Sequence, residues 1–354
     1  MAEFDVNGVG VPNGKYFGMP FDSDECPVAL ISVPWDATVS YAAGTAKGPD
    51  AIIDASIQVD LFDEYIQGAE ELKIGTDEAL VKIENGSAVK VSDHIGKINV
   101  GARAAAERII GALASGRALS QSELEDQEAV NRMSREVNRL VEGTCLSYYK
   151  KGIIPGVVGG EHSVAFGAVK AAASQLKRGE TLGLIQFDAH ADLRVAYEGF
   201  EYSHASVMYN CLSQIPEIET LCQISIRDFC VDEYNLIKNN KKIKAFTGGR
   251  IADALFNGKS WNTLCSEVIE SLPEKVYISF DIDGLEPSMC PHTGTPVPGG
   301  ITFDMAVYLL RRLAKERKIV GFDLCEVAPG DDEWDANVGA RLLHKLCLFT
   351  ATGR

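Results

Sequence analysis

Four apolar, β-branched runs end directly in carboxylate and imidazole residues, and this repeated pattern most constrains what the chain can fold into. The runs lie at 153–158, 182–187, 276–280 and 319–324, and the clusters that follow them are Gly159-Gly160-Glu161-His162, Asp188-Ala189-His190-Ala191-Asp192, Asp281-Ile282-Asp283 and Glu326. Such runs are typical of strands buried on both faces of a parallel sheet. Because α/β sheets bind ligands outside the carboxyl ends of their strands, we expect the clusters to share one crevice.

The rest of the chain continues the same rhythm from Val28 onward. Apolar runs at 28–33, 223–226 and 243–246 alternate with helical patterns at 50–56, 100–114, 130–150, 231–239 and 337–348. This alternation predicts an α/β fold, with helices on both faces of a parallel sheet. The polar, acidic stretch at 121–128 has the composition of an exposed connector. Without repeats or linkers, residues 1–354 are expected to form a single domain in which 1–27 are an N-terminal extension.

Charge and composition bear on partners and compartment. With 34 Lys and Arg against 50 Asp and Glu, the net charge of −16 disfavours nucleic acid and membrane as partners. It is compatible with a cationic substrate, and equally with an acidic surface that keeps a protein in solution. The first residues lack the pattern of a signal peptide, and the nine cysteines include no CxxC pair. These features predict a cytoplasmic protein with reduced cysteines, most of them in the core.

The clusters have the composition of a two-metal hydrolytic site. Alternation along a strand turns every second side chain to the same face, so Asp-x-His-x-Asp and Asp-x-Asp can each chelate. A lone pair of this kind is more often structural, but its repetition at strand ends favours metal binding. Imidazole and carboxylate ligands without thiolates indicate manganese, nickel, zinc or magnesium. The candidate ligands are His162, Asp188, His190, Asp192, Asp281 and Asp283.

With these motifs the chain resembles the ureohydrolase superfamily of arginases, agmatinases, guanidinobutyrases and formimidoylglutamases, from about Val28 to the C-terminus. Segments 159–163, 188–192 and 279–287 carry the resemblance. It implies an arginase-like, three-layer αβα fold with a mostly parallel eight-stranded sheet, assembly as a homotrimer or hexamer, and two Mn²⁺ per chain. By position, one ion would take His162, Asp188, Asp192 and Asp281, and the other Asp188, His190, Asp281 and Asp283.

Two residues depart from the family pattern. Glu161 and Glu286 stand where Asp is usual, and neither is a ligand position. Each keeps the charge and adds one methylene, so we expect a local change in the hydrogen bonds around the ligands and no loss of metal.

The resemblance is strongest to agmatinases, through segments 188–194, 202–208 and 294–300. It implies hydrolysis of the small guanidino substrate agmatine to urea and putrescine, a reaction of polyamine biosynthesis. Proton movement would fall to Asp192 and His204, while Glu326 would orient the guanidinium by a charge-assisted hydrogen bond.

The substrate remains open among ureohydrolase specificities: agmatinase, guanidinobutyrase, arginase, formimidoylglutamase and guanidine hydrolase. Arginases usually have Asn at the position of Arg194 and Asp near Cys230, so arginine is expected to bind poorly. Arg194 either holds a substrate carboxylate or is tied down by Glu198 or Glu201. His292 either narrows the mouth of the pocket or lies in a surface loop. A deacetylase-like enzyme with one metal ion and a non-catalytic homologue are the remaining alternatives.

Overall fold

The computed structural model describes residues 4–83 and 86–353; residues 1–3 of the predicted N-terminal extension lie outside this part of the chain. Its strands are β1 (Val28–Val33), β2 (Ile74–Thr76), β3 (Leu80–Lys82), β4 (Ala88–Lys90), β5 (Ile154–Gly159), β6 (Leu182–Phe187), β7 (Ile218–Ile224), β8 (Ile243–Phe246), β9 (Lys275–Asp281) and β10 (Lys318–Cys325). Its helices are α1 (Gly48–Ser56), α2 (Val91–Ala114), α3 (Gln121–Tyr149), α4 (Ala165–Ala173), α5 (Val207–Gln214), α6 (Val231–Asn239), α7 (Gly248–Phe256), α8 (Trp261–Glu270), α9 (Phe303–Glu316) and α10 (Trp334–Thr352).

Eight strands form one sheet in the order β2-β1-β5-β10-β9-β6-β7-β8, and every neighbouring pair runs parallel. The predicted α/β class with an eight-stranded parallel sheet is therefore confirmed. The strands β3 and β4 form a separate antiparallel pair. The four strands that precede the polar clusters, β5, β10, β9 and β6, lie side by side in the middle of the sheet. Their carboxyl ends thus open onto one edge, as the sequence pattern predicts.

Helices cover both faces of the sheet and create two separate cores. Helices α1 and α7 to α10 pack on one face, and α2 to α6 pack on the other. Strand β6 is buried along its whole length, because apolar side chains that alternate between the faces meet a helical layer on each side. Tyr16, Phe17 and Met19 of the N-terminal segment join the first of these cores. Within the described ranges no helix combines the length and apolar content that crossing a bilayer requires.

The prediction that residues 121–128 form a connector is wrong. They are the first two turns of α3, which begins with a capping box: the Ser120 hydroxyl accepts the N–H of Glu123, and the Glu123 carboxylate accepts the N–H of Ser120. These turns are largely exposed to solvent, so their polar composition reflects exposure and not a break in the helix. Helices α2 and α10 also begin earlier than their apolar patterns predict, at Val91 and Trp334.

Candidate active site

The six candidate ligands converge at the carboxyl edge of the central strands. Asp281 ends β9 beside Cys325 of β10, and Asp188 directly follows β6. All of them are buried except His190, whose side chain keeps a quarter of its surface exposed. Three of the four central strands, β5, β6 and β9, therefore deliver these polar side chains to one buried centre.

His162 lies at the middle of a first group of candidate ligands. Its Nδ1 atom is 3.0 Å from Asp188 Oδ2, 2.9 Å from Asp192 Oδ2 and 3.6 Å from Asp281 Oδ2. Donor atoms of His162, Asp188 and Asp192 lie close enough together to hold one metal ion. Three carboxylates thus face a single imidazole nitrogen.

His190 forms a second group that shares Asp188 with the first. Its Nδ1 atom is 3.0 Å from Asp283 Oδ2 and 3.5 Å from Asp188 Oδ1. Asp188, His190 and Asp283 also have the spacing of a metal site. The two oxygens of Asp188 therefore face different imidazoles, which is the position of a carboxylate that bridges two ions.

A chain of hydrogen bonds fixes which nitrogen of His162 faces the carboxylates. Ser279 Oγ lies 3.0 Å from the buried Asp323 carboxylate and 2.8 Å from His162 Nε2. Since the hydroxyl proton goes to Asp323, Ser279 accepts from His162, so Nε2 carries a proton. Although burial opposes it, Asp188 and Asp192 raise the pKa of His162 well above its ordinary value, so in the metal-free protein Nδ1 is protonated as well and donates to these carboxylates. A bound metal ion would take the place of the Nδ1 proton, and an Nε2–H that is tied to a buried carboxylate is the usual support of a metal-ligating histidine.

The ligand loops are held by further backbone bonds and by two unusual conformations. Asp192 and Glu326 have φ angles of 53° and 65°, in the left-handed region that residues other than glycine rarely adopt. The carboxylate of Asp281 accepts the N–H of Asp283 at 2.9 Å, and that of Asp283 accepts the N–H of Ala189 at 2.9 Å. Backbone strain of this kind persists where the surrounding structure imposes it, as at functional sites.

Negative charge dominates the centre. Within the described ranges, no lysine or arginine forms an ion pair with its carboxylates, Asp188, Asp192, Asp281, Asp283 and Glu326. The four aspartates pair there with His162 and His190. Burial together with the neighbouring Asp188 raises the pKa of Asp192 to about 7. Although burial opposes it, the charge of Asp283 and Asp188 raises the pKa of His190 to about 12. Burying several carboxylates without lysine or arginine partners is costly, and divalent cations would offset that cost.

His204 stands beside this centre on the short helical turn that precedes α5. Its backbone N–H donates to Thr38 Oγ1 at 3.2 Å, and its Nδ1 atom lies 3.4 Å from the same oxygen. Removal from water and the nearby charge of His190 lower the pKa of His204 to about 4. Its position next to the candidate ligands, outside both of their groups, suits a residue that moves protons.

Glu326 is buried behind the candidate ligands. Its Oε1 atom accepts the backbone N–H of His162 at 2.9 Å, and its own N–H donates to Gly160 O at 2.7 Å. No described residue donates a hydrogen bond to its Oε2 atom. Burial and the nearby carboxyl of Glu161 raise the pKa of Glu326 well above its ordinary range.

A cavity of about 740 Å³ adjoins the centre. His190, Asp192 and His204 line it together with the carboxylates Glu198, Asp228 and Glu233 and with Arg194. Its size is ordinary for a small-molecule site, and its side chains are more often acidic than basic. Two of the candidate ligands, His190 and Asp192, thus border the same space as three further carboxylates.

Arg194 has a different partner from the two that the sequence indicates. Its Nε atom lies 3.8 Å from Glu233 Oε2, and its guanidinium lies 4.8 Å from the centre of the Tyr197 ring. Glu201 pairs with Arg135 instead. Helix α6 brings Glu233 beside Arg194 from a distant part of the chain, which local sequence spacing does not reveal. Arg194 is thus held in a structural contact, as the ion-pair alternative predicts, but through Glu233.

The two other open positions, Cys230 and His292, lie outside the ligand groups. Cys230 precedes α6, where its N–H donates to Glu233 Oε2 at 2.9 Å. His292 does not line the cavity. Its Nδ1 atom is 2.8 Å from the buried Asp335 carboxylate, and 48% of its side-chain surface is exposed. The surface-loop alternative therefore describes His292, with an ion pair to Asp335 added.

Sequence patterns missed the residues that support the centre. Asp323 gives a signal, because it is a lone carboxylate inside an apolar run, and Ser279 gives another as the residue that precedes Asp281 by one strand repeat. Thr38 and Glu233 give none, since nothing near them in sequence marks them as neighbours of His204 and Arg194.

Comparison with known proteins identifies the family. Residues 26–349 match the sequence profile of the Arginase family. The chain belongs to the arginase family. It is 29% identical over 321 residues to the N(1)-aminopropylagmatine ureohydrolase of Thermus thermophilus, covering 91% of this chain and 89% of that protein. It is 27% identical over 330 residues to the agmatinase of Bacillus subtilis, covering 92% of each.

Solved structures agree on the fold. Proclavaminate amidino hydrolase from Streptomyces clavuligerus superposes with a TM-score of 0.71 at 19% identity, covering 98% of this chain and 100% of that one. As an arginase-family ureohydrolase, the chain is an enzyme that acts on guanidino C–N bonds. This assignment replaces the deacetylase-like and non-catalytic alternatives.

Proposed function

We propose that this arginase-family enzyme releases urea from a guanidino-alkylamine, with agmatine as the first candidate, by means of two divalent metal ions. The observation that carries the proposal is the sharing of Asp188 between two groups of donor atoms, one around His162 and one around His190. A shared carboxylate is what a two-ion centre requires. Asp281 lies 3.6 Å from His162 Nδ1 and is the second candidate for a bridge.

The donor set fits Mn²⁺. It consists of imidazole and carboxylate groups, and Cys325, which lies beside Asp281 on the neighbouring strand, has its thiol turned to Asp323. Ligands of this type suit manganese and similar divalent ions better than thiol-seeking ones. When bound, two such ions would supply a water nucleophile at neutral pH and an electrostatic clamp on the reacting carbon. The residues that would hold them are His162, Asp188, His190, Asp192, Asp281 and Asp283.

Three residues of the chain would handle the substrate. Glu326 Oε2 would accept an N–H of the guanidinium and so place its planar carbon near the metal ligands. Asp192, with its Oδ2 atom directed at His162, would accept a proton during the attack. His204, which borders the cavity, would give a proton to the departing amine, since an unprotonated amine is a poor leaving group.

The cavity favours a substrate whose far end is cationic. Glu198, Asp228 and Glu233 border it, whereas its one guanidinium, Arg194, is already paired with Glu233. A buried oxygen of Glu198 has no hydrogen-bond partner, and an ammonium group would supply one. The acidic lining therefore favours agmatine, whose far end is an ammonium group, over guanidinobutyrate, whose far end is a carboxylate.

A second substrate, N1-aminopropylagmatine, has its own support. Relatives from Thermus thermophilus and Synechocystis that carry this name are 29% and 28% identical to the chain. The additional secondary amine of this compound would add a second cation to a cavity bordered by three carboxylates that are not candidate metal ligands. The choice between the two substrates therefore depends on how many amines the cavity holds.

We further propose that the enzyme is a single-domain protein that works in the cytoplasm as a homotrimer or hexamer. All nine cysteines are free, which supports a reducing compartment. Light scattering after gel filtration would measure the mass of the assembly and would reject the proposal if the protein were a monomer.

The test of the function is urea release by the manganese-loaded protein. Agmatine, N1-aminopropylagmatine, arginine, guanidinobutyrate, formiminoglutamate and guanidine would be offered at equal concentrations, and manganese content would be counted by mass spectrometry. We expect agmatine or its aminopropyl derivative to give the highest kcat/KM with two ions per chain. Preference for guanidinobutyrate would contradict the cationic-tail argument, and one ion per chain would contradict the two-metal centre.

A further inference from the structure

A second chain of hydrogen bonds leads from a buried carboxylate to an imidazole at the active site. Glu161 is completely buried. Its Oε1 atom accepts the hydroxyl of Thr38 at 2.8 Å, and its Oε2 atom accepts the backbone N–H of Thr38 at 2.7 Å. Thr38 Oγ1 in turn lies 3.4 Å from His204 Nδ1 and accepts the backbone N–H of His204 at 3.2 Å. Glu161 therefore holds Thr38 at two points, and Thr38 meets His204 at two points.

The distances decide which way each proton points. The Thr38 hydroxyl has one proton, and the carboxylate oxygen at 2.8 Å is a closer and stronger acceptor than the imidazole nitrogen at 3.4 Å. Once that proton is directed to Glu161, Thr38 Oγ1 can only accept from the ring. His204 Nδ1 must then be the protonated nitrogen, because two lone pairs facing each other would repel.

The same device acts on His162 with the opposite nitrogen. Asp323 receives the hydroxyl proton of Ser279, and Ser279 accepts from His162 Nε2. One chain thus keeps a proton on Nε2 of His162, so that Nδ1, among the candidate ligands, is the nitrogen that would bind a metal ion. The other leaves the lone pair of His204 on Nε2, an atom to which no residue of the described ranges forms a hydrogen bond.

We propose that Thr38, held by Glu161, is a positioning residue that fixes His204 as the Nδ1–H tautomer and so leaves Nε2 free to carry the catalytic proton. The proposal rests on the proposed function, in which His204 serves the departing amine. Hydrolysis turns R-NH-C(NH₂)₂⁺ and water into R-NH₃⁺ and urea, so both hydrogens of water end on the departing nitrogen. His204 takes one of them at Nε2 and releases it from the same atom, while Nδ1–H stays bonded to Thr38.

Glu161 also stands out in the sequence. Glu161 is one of the two residues that depart from the family pattern, and its hydrogen bonds run to Thr38 and to Ser163, whose hydroxyl lies 2.5 Å from Oε1. The departure therefore concerns the hydrogen bonds that support His204 through Thr38, and leaves the candidate metal ligands unchanged.

The test compares two substitutions at Thr38. Thr38→Val has nearly the same shape but no hydroxyl, whereas Thr38→Ser keeps the hydroxyl. Thr350→Val is the matched control, because Thr350 is also buried and its hydroxyl has no hydrogen-bond partner. We expect Thr38→Val to lower kcat about 100-fold with KM little changed, the size of a lost acid–base contribution. We expect Thr38→Ser and Thr350→Val to stay close to the parent enzyme, with equal metal content in all four proteins.

A second measurement follows the tautomer directly and does not depend on turnover. The protein has six histidines, so ¹⁵N spectra of histidine-labelled protein are simple, and His204→Asn identifies the His204 signals. We expect a protonated Nδ1 in the parent and in Thr38→Ser, and a shift toward protonated Nε2 in Thr38→Val.

The two readouts separate the possible failures. If Thr38→Val keeps the parent kcat, or loses kcat while His204 remains protonated on Nδ1, the positioning role is refuted. If the parent protein releases urea from no guanidino compound but the tautomer still depends on the Thr38 hydroxyl, the proposed function fails and the control of the tautomer stands.

Discussion

Gly284 lies where two ligand-bearing loops approach most closely, and replacing it with alanine is the sharpest structural test of the metal centre. An alanine Cβ at this position would stand 2.6 Å from the backbone N of Asp188 and 2.9 Å from the backbone C of Phe187. Both are main-chain atoms at the end of β6, so no side chain can rotate to make room. Gly284 also directly follows the candidate ligand Asp283, so the strain arises between the two halves of the centre.

The size of the effect follows from these distances. Ordinary contact with a Cβ begins at 3.4 Å, so the loops must separate by about 0.8 Å, the difference between 3.4 and 2.6 Å. The separation acts on the 2.9 Å bond from Ala189 N–H to Asp283 and on the 3.0 Å approach of His190 to the same residue. Overpacking of this kind costs about 1–3 kcal/mol, and a misplacement near 1 Å at a catalytic centre costs about 100-fold in rate.

The assay compares Gly284→Ala with Gly101→Ala. Gly101 lies on the exposed face of α2, and an added Cβ there would meet nothing within 4 Å. The control should therefore stabilise the protein by roughly 0.5–1 kcal/mol, because alanine is the better helix former, and it should leave urea release unchanged. We expect Gly284→Ala to lower kcat/KM about 100-fold and to weaken metal binding. Parent activity and metal content in Gly284→Ala would refute the close approach of these loops.

Three further predictions concern a ligand, a buried histidine and a helix cap. Asp281→Asn keeps the acceptor for the Asp283 N–H but removes the negative charge that Asp281 would share between the two proposed ions. We therefore expect urea release to be lost and the number of bound metal ions to fall. Undiminished turnover would contradict a bridging role. Burial lowers the pKa of His344 from 6.5 to about 4, so the unfolded chain binds a proton at pH 5 that the folded chain does not. Stability should then fall by about 2 kcal/mol between pH 7 and pH 5 through this residue alone, and denaturant titration of the metal-free protein should show a correspondingly smaller loss in His344→Gln. Ser120→Ala removes the hydroxyl of the capping box that begins α3 and should cost about 1 kcal/mol in the same titration; an unchanged midpoint would mean that the first turns of α3 do not contribute to global stability.

The sheet was predictable where burial leaves a simple pattern. Strands β1, β5, β6 and β9 are continuous apolar runs because helices cover both of their faces, and the predicted ranges match them closely. Helix α4 was missed for the same physical reason: it is buried on nearly every side, so its sequence has no polar face that would reveal a helical period. Strand order was not predictable, since hydrogen-bonded neighbours such as β5 and β10 are far apart in the chain.

The candidate ligands were predictable because each pair lies on one short segment. Asp188 and His190, or Asp281 and Asp283, are two residues apart just where a central strand ends, so one short segment delivers both of them to the centre. The residues that orient them are different. Thr38 and His204 are 166 positions apart, and Ser279 and His162 are 117 apart. Their contacts arise from the folded arrangement of loops, which no local pattern records.

For the same reason, the type of reaction was easier to predict from the sequence than the identity of the substrate. Under the proposed function, hydrolysis would depend on the residues that follow the central strands, whereas selection of the substrate's far end would depend on Glu198, Asp228 and Glu233, which come from other loops and from α6. Arg194 illustrates the consequence, because its charge alone suggests a clamp for a carboxylate. Arg194 instead lies beside Glu233 of α6, so its charge is already paired. The cavity therefore has more carboxylates than unpaired cations. Under the proposed function, a guanidino compound with an ammonium tail would therefore find complementary charge at both of its ends, whereas one with a carboxylate tail would find it only at its guanidinium end.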